Sequence, residues 1–211
     1  MKVTSVQARC LTIPIKFPFT EKSRTEGMLL VRVETDSGNI GFGISRDTER
    51  YAVRESINRD IAPFLLGKDP ICTEKIWEDA CWEIGMSYMS KGGAIGRAIG
   101  AVDQALWDIK GKALGEPIYR LLGGASTGSV GAYTTFGFNV YSLEELVALA
   151  HQMVRDGHDP LKYQAVAANR GQDISVDVER IKAVREAIGD KTRLIVDCNG
   201  KFDFTHAREF L

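Results

Sequence analysis

Two short stretches decide how this chain is read: Leu161-Lys162-Tyr163-Gln164-Ala165-Val166 and Leu194-Ile195-Val196-Asp197-Cys198-Asn199. Each is short and apolar at every second position, the pattern of a strand. Between them, Val178, Ile181, Val184 and Ile188 recur at helical spacing, and Gly189 follows as a stop. Strand, helix, strand at this length predicts a parallel pair joined by a crossover helix. Alternation then sorts the side chains. Leu161, Tyr163 and Ala165 share one face, as do Leu194, Val196 and Cys198, and these pack against covering helices. Lys162 and Gln164 occupy the other face of the first strand, and Ile195, Asp197 and Asn199 that of the second. A lysine and an aspartate at the exits of consecutive parallel strands must face a barrel interior or a cleft, with a partner or a metal to offset their burial.

The same rhythm extends on both sides. Val130 to Phe138 reads as an earlier strand. Ser142-Leu143-Glu144-Glu145 is a capping box opening a helix to about Arg155, closed by Gly157, and Thr205 begins a further helix. Upstream the pattern differs. Residues 2–13 form a strand. Met28 to Glu34 places Leu29, Val31 and Val33 on one face, Thr35-Asp36-Ser37-Gly38-Asn39 turns the chain, and Ile40, Phe42 and Ile44 resume the alternation. Phe17 to Gly27, polar with Pro18 and Gly27, is expected to be a mobile loop. Helices follow over Glu49–Leu66, bent near Pro63, over Thr73–Met86, with Ile76, Trp77, Ala80 and Ile84 on one stripe, and over Ala94–Leu114. In the last, Ile95, Ala98, Ile99, Val102, Leu106, Ile109 and Ala113 make the apolar stripe, while Gly100, Ala101 and Ala105 permit close packing. Gly115 caps it and Pro117 blocks continuation. The small-residue run Leu121 to Gly128 marks a boundary, so the expected organisation is an α+β domain over 1–125 and an α/β domain over 126–211.

Bulk properties narrow the function classes. A formal net charge of -1 gives no electrostatic case for nucleic acid or an anionic membrane. No apolar run approaches the roughly 20 residues that cross a bilayer, and the N-terminus lacks a signal-peptide core, so a cytoplasmic location is expected. Cys10, Cys72, Cys81 and Cys198 lack zinc-ligand spacing and read as reduced thiols; Cys198 points away from Asp197 and is not a nucleophile. His151, His158 and His206 read as surface residues. Trp77, Trp82 and Trp107 read as packing groups on helices.

Asp197 offers hard oxygen ligands suited to magnesium. Lys162 offers a cation for a substrate carboxylate, or a base if burial lowers its pKa. The competing reading is a plain Lys162–Asp197 ion pair in a barrel core, and on spacing alone it is the stronger.

Resemblance shifts that balance. The run Ala101-Val102-Asp103-Gln104-Ala105-Leu106-Trp107-Asp108-Ile109-Lys110-Gly111-Lys112-Ala113-Leu114-Gly115 is followed by Pro117-Ile118-Tyr119-Arg120-Leu121-Leu122-Gly123-Gly124. Val184-Arg185-Glu186-Ala187-Ile188-Gly189 then leads to Val196-Asp197-Cys198-Asn199-Gly200. In order and spacing these resemble the N-terminal portion of an enolase-superfamily protein of the mandelate racemase/muconate lactonizing enzyme family, over nearly the whole chain.

The resemblance implies an α+β capping domain followed by the first βα units of an incomplete TIM-like barrel. It also implies a magnesium ion that binds a substrate carboxylate and stabilises the enediolate formed when a base removes the α-proton. By position Asp197 resembles the first metal ligand of that family. Lys162 resembles the first lysine of its Lys-x-Lys motif, which supports the substrate carboxylate, and Asn199 resembles a polar neighbour of the ligand. Where the second lysine would serve as base this chain has Gln164, and an amide takes no proton at neutral pH. Gln164 is therefore expected to hydrogen-bond a substrate hydroxyl, with the base on a later strand, as in members that dehydrate sugar acids.

The expectation is a magnesium-dependent sugar-acid dehydratase in its intact form, acting on a small carboxylate and assembled as a homo-oligomer. The alternatives are a racemase, epimerase or cycloisomerase of the same superfamily, and a non-catalytic truncated or degenerate member. About two and a half of eight βα units are present, so the 211 residues read as a fragment, inactive alone. Lys22 and Arg24 in the polar loop, and Arg46 and Arg50 after the hairpin, are further candidates for meeting an acidic substrate.

Overall fold

The computed structural model describes residues 1–46, 49–84, 92–165, 173–200 and 202–210. Val166 and Met86, read as the last residues of a strand and a helix, lie outside the described residues, as do the His206 side chain and Leu211. The chain divides into two units: Met1–Ile15 with Arg24–Gly128, and Lys16–Ser23 with Ser129–Leu211.

The first unit holds a three-stranded sheet in the order β1 (Val3–Lys16), β2 (Ser23–Thr35), β3 (Ile40–Arg46), with β2 and β3 antiparallel. β2 starts at Ser23, so the expected loop over Phe17–Gly27 shrinks to the residues before it. The threonine and the alternating residues beyond it extend the ladder further than turn-residue counting suggests. Leu29, Val31 and Val33 are fully buried on one face, as expected.

Against that face lie helices α1 (Arg50–Ser56), α2 (Ala62–Leu65), α3 (Thr73–Glu83) and α4 (Gly93–Leu114), with a short α5 (Ile118–Leu121) beyond. A π-helical turn, Ile57–Ile61, joins α1 to α2, so the irregularity begins before Pro63. Its Asn58 side chain clips β1, accepting from the Ala8 amide at 2.8 Å and donating to the Ala8 carbonyl at 3.2 Å.

The contact of α4 with β3 fixes the geometry of this unit. β3 pairs Gly41 with Val33 and Gly43 with Val31, so its inward positions are glycines. A β-carbon on Gly43 would sit 1.9 Å from the Ala101 carbonyl oxygen, and one on Gly41 2.1 Å from that of Ala105. Helix backbone therefore rests on strand backbone, through Ala101 and Ala105. Gly100, grouped with them from the sequence, has nothing within 4 Å of its β-carbon position and takes no part.

Phe42 and Ile44 face outward and are 44% and 49% exposed. β3 is an edge strand, and α4 satisfies its free backbone groups. The Phe42 amide donates to Asp108 Oδ2 at 2.9 Å, the Ile44 amide to Gln104 Oε1 at 3.2 Å, and Gln104 Nε2 returns a bond to the Ile44 carbonyl. Lys112 Nζ reaches the Ile40 carbonyl at 2.8 Å. Gln104, Asp108 and Lys112 lie at i, i+4, i+8, one edge of the helix.

The second unit is a parallel sheet in the order β4 (Thr134–Phe136), β5 (Leu161–Gln164), β6 (Leu194–Asp197), with helices α6 (Leu143–Arg155), α7 (Ile174–Ile188) and α8 (Phe204–Phe210). The capping box forms: the Ser142 amide donates to Glu145 Oε2 at 2.7 Å and the Glu145 amide to Ser142 Oγ at 3.1 Å. α7 begins before Val178 because Asp173 caps it, accepting from the Ser175 amide at 2.9 Å. Leu161, Tyr163 and Ala165 are buried, and Val184 and Ile188 meet them in the core.

Phe17 belongs to this unit. Its ring centroid lies 6.3 Å from that of Phe138 and 6.1 Å from that of Tyr141. Lys22 Nζ donates to the Val140 carbonyl at 2.6 Å.

Candidate active site

β5 and β6 run parallel with Lys162 opposite Ile195 and Gln164 opposite Asp197. Lys162 and Asp197 are thus diagonal neighbours on one face. A long lysine stem spans the diagonal, and Lys162 Nζ lies 3.0 Å from Asp197 Oδ2. The second Asp197 oxygen, Oδ1, accepts the Asn199 amide at 2.9 Å. That turn is tight: Asn199 has φ 52° and Gly200 φ 62°, both left-handed. The Asn199 side chain is exposed, so its backbone makes the contact with the aspartate. Gln164 is half-buried, and its amide makes no hydrogen bond among the described residues.

The electrostatics follow from these contacts. The Asn199 amide first, then Lys162, hold the Asp197 carboxyl below its ordinary range. Asp197 first, then Tyr133, hold the Lys162 ammonium above its ordinary value. The lysine is thereby kept as a cation, suited to pairing with an anion rather than to taking a proton. Burial pushes the Cys198 thiol up, in keeping with its exclusion as a nucleophile.

Tyr133 was not singled out in the sequence. Lys162 Nζ donates to its Oη at 3.3 Å and stands 4.6 Å from its ring centroid. Thr135 pairs with Lys162 in register, so stepping back two residues places Tyr133 on the same face. The other face of β5 carries a second polar group that alternation had sorted as apolar. Tyr163 Oη donates to Asp177, which is fully buried, at 3.0 Å, and accepts from Arg180 Nε at 3.1 Å. Arg180 Nη1 also reaches the Tyr141 carbonyl at 3.1 Å. Desolvation pushes the Tyr163 hydroxyl up to about 12, so it stays a donor. A buried tyrosine needs a partner for its hydroxyl, and that was the available signal.

Of the remaining candidates, Lys22 bonds Val140 and lies 4.0 Å from Glu145 in the second unit. In the first unit Arg24, ion-paired with Glu26, lines an open groove of about 720 Å³ with Arg46 and Arg97. Arg50 donates to the Tyr51 hydroxyl at 3.2 Å. His151 and His158 are exposed. Trp77 and Trp82, read as packing groups on helices, are 40% and 50% exposed, and the inward stripe of α3 is Ile76, Ala80 and Cys81.

Among the described residues no three His, Cys, Asp or Glu side chains gather as a metal site. Asp197 supplies one carboxylate, which fits one ligand position of a hard cation that takes about six oxygens. No helix among the described residues is long and apolar enough to cross a membrane.

An α+β domain with a helix laid on an antiparallel sheet, followed by parallel βα units with polar groups at the strand exits, defines the architecture of enolase-type proteins. Residues 1–123 match the mandelate racemase/muconate lactonizing enzyme N-terminal domain, and residues 145–211 match the enolase C-terminal domain-like family. The chain belongs to the mandelate racemase/muconate lactonizing enzyme family of the enolase superfamily.

It is 32% identical over 210 residues to a D-galactarolactone cycloisomerase of Agrobacterium fabrum, covering 98% of this chain and 54% of that one. It is 35% identical over 190 residues to an arabinonate dehydratase of Saccharolobus solfataricus, covering 86% and 48%. Among solved structures, a racemase from Streptomyces coelicolor A3(2) with bound magnesium superposes with a TM-score of 0.83 at 29% identity, over 99% of this chain and 58% of that one. The chain spans about half the length of the relatives it matches.

Proposed function

We propose that these residues are part of a magnesium-dependent enzyme that removes the α-proton of a sugar-acid carboxylate and then eliminates water. The observation that carries this reading is the 3.0 Å approach of Lys162 Nζ to Asp197 Oδ2 at adjacent strand exits. It puts a cation for the carboxylate beside a hard oxygen ligand. A carbon acid next to a carboxylate is very weak, and a magnesium ion when bound would supply concentrated positive charge to the enediolate. Asp197 would be one of its ligands, with the remaining oxygens coming from further strands of the barrel. Lys162, held protonated between Asp197 and Tyr133, binds and orients the substrate carboxylate. Gln164, whose amide makes no hydrogen bond among the described residues, takes a substrate hydroxyl, and Asn199 fixes the Asp197 carboxylate through its amide.

The base lies outside this pair, because Lys162 is held as a cation and Gln164 cannot accept a proton at neutral pH. This favours dehydration over a two-base racemisation. A cycloisomerase is the second reading, supported by the relative that bears that activity. The whole protein is a homo-oligomer in this proposal.

The test is exchange of the substrate α-hydrogen in deuterated water, followed by NMR with a panel of aldonic and aldaric acids and magnesium. A protein that includes the further strands should exchange, and Asp197→Asn should abolish it. The 211-residue chain alone should show none. Unchanged exchange in Asp197→Asn would remove that residue from the site.

A further inference from the structure

We propose that Tyr133 is a positioning residue for Lys162: it keeps the ammonium in place when Asp197 no longer pairs with it, and so sets the affinity for the substrate carboxylate. This deepens the proposed function and rests on its reading of Lys162 as the group that binds the carboxylate. All three residues belong to the second unit.

The first argument is a count of donors. A lysine ammonium carries three N–H groups and accepts nothing. Lys162 Nζ faces Asp197 Oδ2 at 3.0 Å and donates to Tyr133 Oη at 3.3 Å. Its third N–H has no acceptor among the described residues. Both oxygens of Asp197 are already engaged, Oδ1 by the Asn199 amide at 2.9 Å and Oδ2 by Lys162. With Asp197 serving as a metal ligand, two positive groups would compete for one carboxylate. Lys162 is the partner able to leave, because its stem is flexible. A lysine released from its only anchor gains rotamer entropy by swinging into solvent.

Tyr133 opposes that movement with a neutral hold. Its ring lies with the centroid 4.6 Å from Lys162 Nζ, and its hydroxyl oxygen accepts from the same atom. A ring attracts a cation by its quadrupole, and an oxygen by its lone pairs. Neither carries a formal charge, so the charge of Lys162 is left for an anion. A carboxylate in this place would hold the lysine harder and neutralise it.

The tyrosine is also the firmer of the two. It has fewer side-chain torsions than a lysine, and the chain is fixed immediately after it. The Thr134 amide donates to the Pro160 carbonyl at 3.0 Å, Thr134 Oγ1 lies 2.9 Å from His158 Nδ1, and Thr135 pairs with Lys162 in register. Tyr133 is 53% exposed, and Lys162 is its one partner among the described residues. Core packing therefore does not account for the place of the ring.

The first test needs no metal and no substrate. The 211-residue chain is labelled with carbon-13 at the lysine ε position, and Lys162→Met assigns the Lys162 signal by NMR. That signal should be displaced from the free-lysine position by the nearby ring, and should stay displaced in Asp197→Asn. Tyr133→Leu should return it to the free position, and Tyr133→Phe, which keeps the ring, should hold it part of the way. A free-lysine signal in Asp197→Asn would overturn the proposal, since the aspartate alone would then be holding the lysine.

The second test uses a protein that includes the further strands, with magnesium and an aldonic acid, reading α-hydrogen exchange. Tyr133→Phe should raise KM about threefold and Tyr133→Leu about tenfold, with kcat kept within about twofold. An unchanged KM in Tyr133→Leu, or a fall in kcat alone, would overturn the proposal. Absence of exchange in the parent protein would instead sink the reading beneath it, and the lysine signal would then show separately whether Tyr133 holds Lys162.

Discussion

The α4–β3 contact and the β5–β6 strand exits handle polar groups in opposite ways. Where α4 lies on β3, Gly41 and Gly43 let carbonyl oxygens approach the strand backbone, and Gln104, Asp108 and Lys112 answer the edge groups of Ile40, Phe42 and Ile44. The described polar groups of that contact are matched within the chain. At the strand exits, Lys162 and Asp197 answer each other, but the Gln164 amide makes no hydrogen bond among the described residues and Tyr133 is half in solvent. A contact satisfied internally is built for stability. In the proposed function, a pair with one such neighbour exchanges that pairing for a ligand.

The contrast can be broken by substitution, and the largest effect is expected at the glycines. Gly43→Ala forces a methyl against the Ala101 carbonyl, which belongs to helix backbone and cannot rotate away. A loss of more than about 3 kcal/mol is expected, read from urea denaturation midpoints. A loss under about 1 kcal/mol would mean that α4 does not rest on β3 as described. The hidden face of β5 comes next. Tyr163→Phe leaves the buried Asp177 without its 3.0 Å donor and Arg180 Nε without its acceptor, so about 1–3 kcal/mol should be lost in the same assay.

The smallest effect belongs to the exposed pair. Asp197, held low, contributes stability that is present above its unfolded-state value and lost as pH falls through its lowered native value. Lys162, held high, contributes stability that is present below its unfolded-state value and lost as pH rises through its raised native value. Lys162→Met should remove the alkaline loss and soften the acid one, since the Asn199 amide still favours the ionised carboxylate. Denaturation midpoints across pH would show this, and an unchanged alkaline limb would mean that the pair is not formed in solution.

How much of this was legible in the sequence depends on whether side-chain character alone determined position. The face assignment of Lys162 and Asp197 followed from period-2 alternation, and the Ser142–Glu145 cap from local spacing. Both are set by neighbours a few residues away. The π-helical turn at Ile57–Ile61 was invisible, because Asn58 is drawn to Ala8 across fifty residues of chain. The inward glycines of β3 misled in a different way. Phe42 and Ile44 carry the apolar signal, yet the strand buries the positions without side chains, since helix backbone takes that space. Tyr133 carries no signal of its own in the sequence, because it precedes the short β4 and its position depends on the register with Lys162. Helical spacing puts Trp77 on the apolar stripe of α3, whereas the buried stripe runs through Ile76, Ala80 and Cys81.

One further consequence comes from Lys16–Ser23, which is encoded between two strands of the first unit yet belongs to the second. The polypeptide crosses from one unit to the other at residues 15–16, 23–24 and 128–129. No single uninterrupted stretch of the chain therefore contains either unit whole. A gene cut at residue 128 would strip the downstream half of the Phe17 ring beside Tyr141 and of the ammonium that meets the Val140 carbonyl. Recombination among relatives should consequently preserve this early octapeptide together with residues more than a hundred positions later, as a single heritable block.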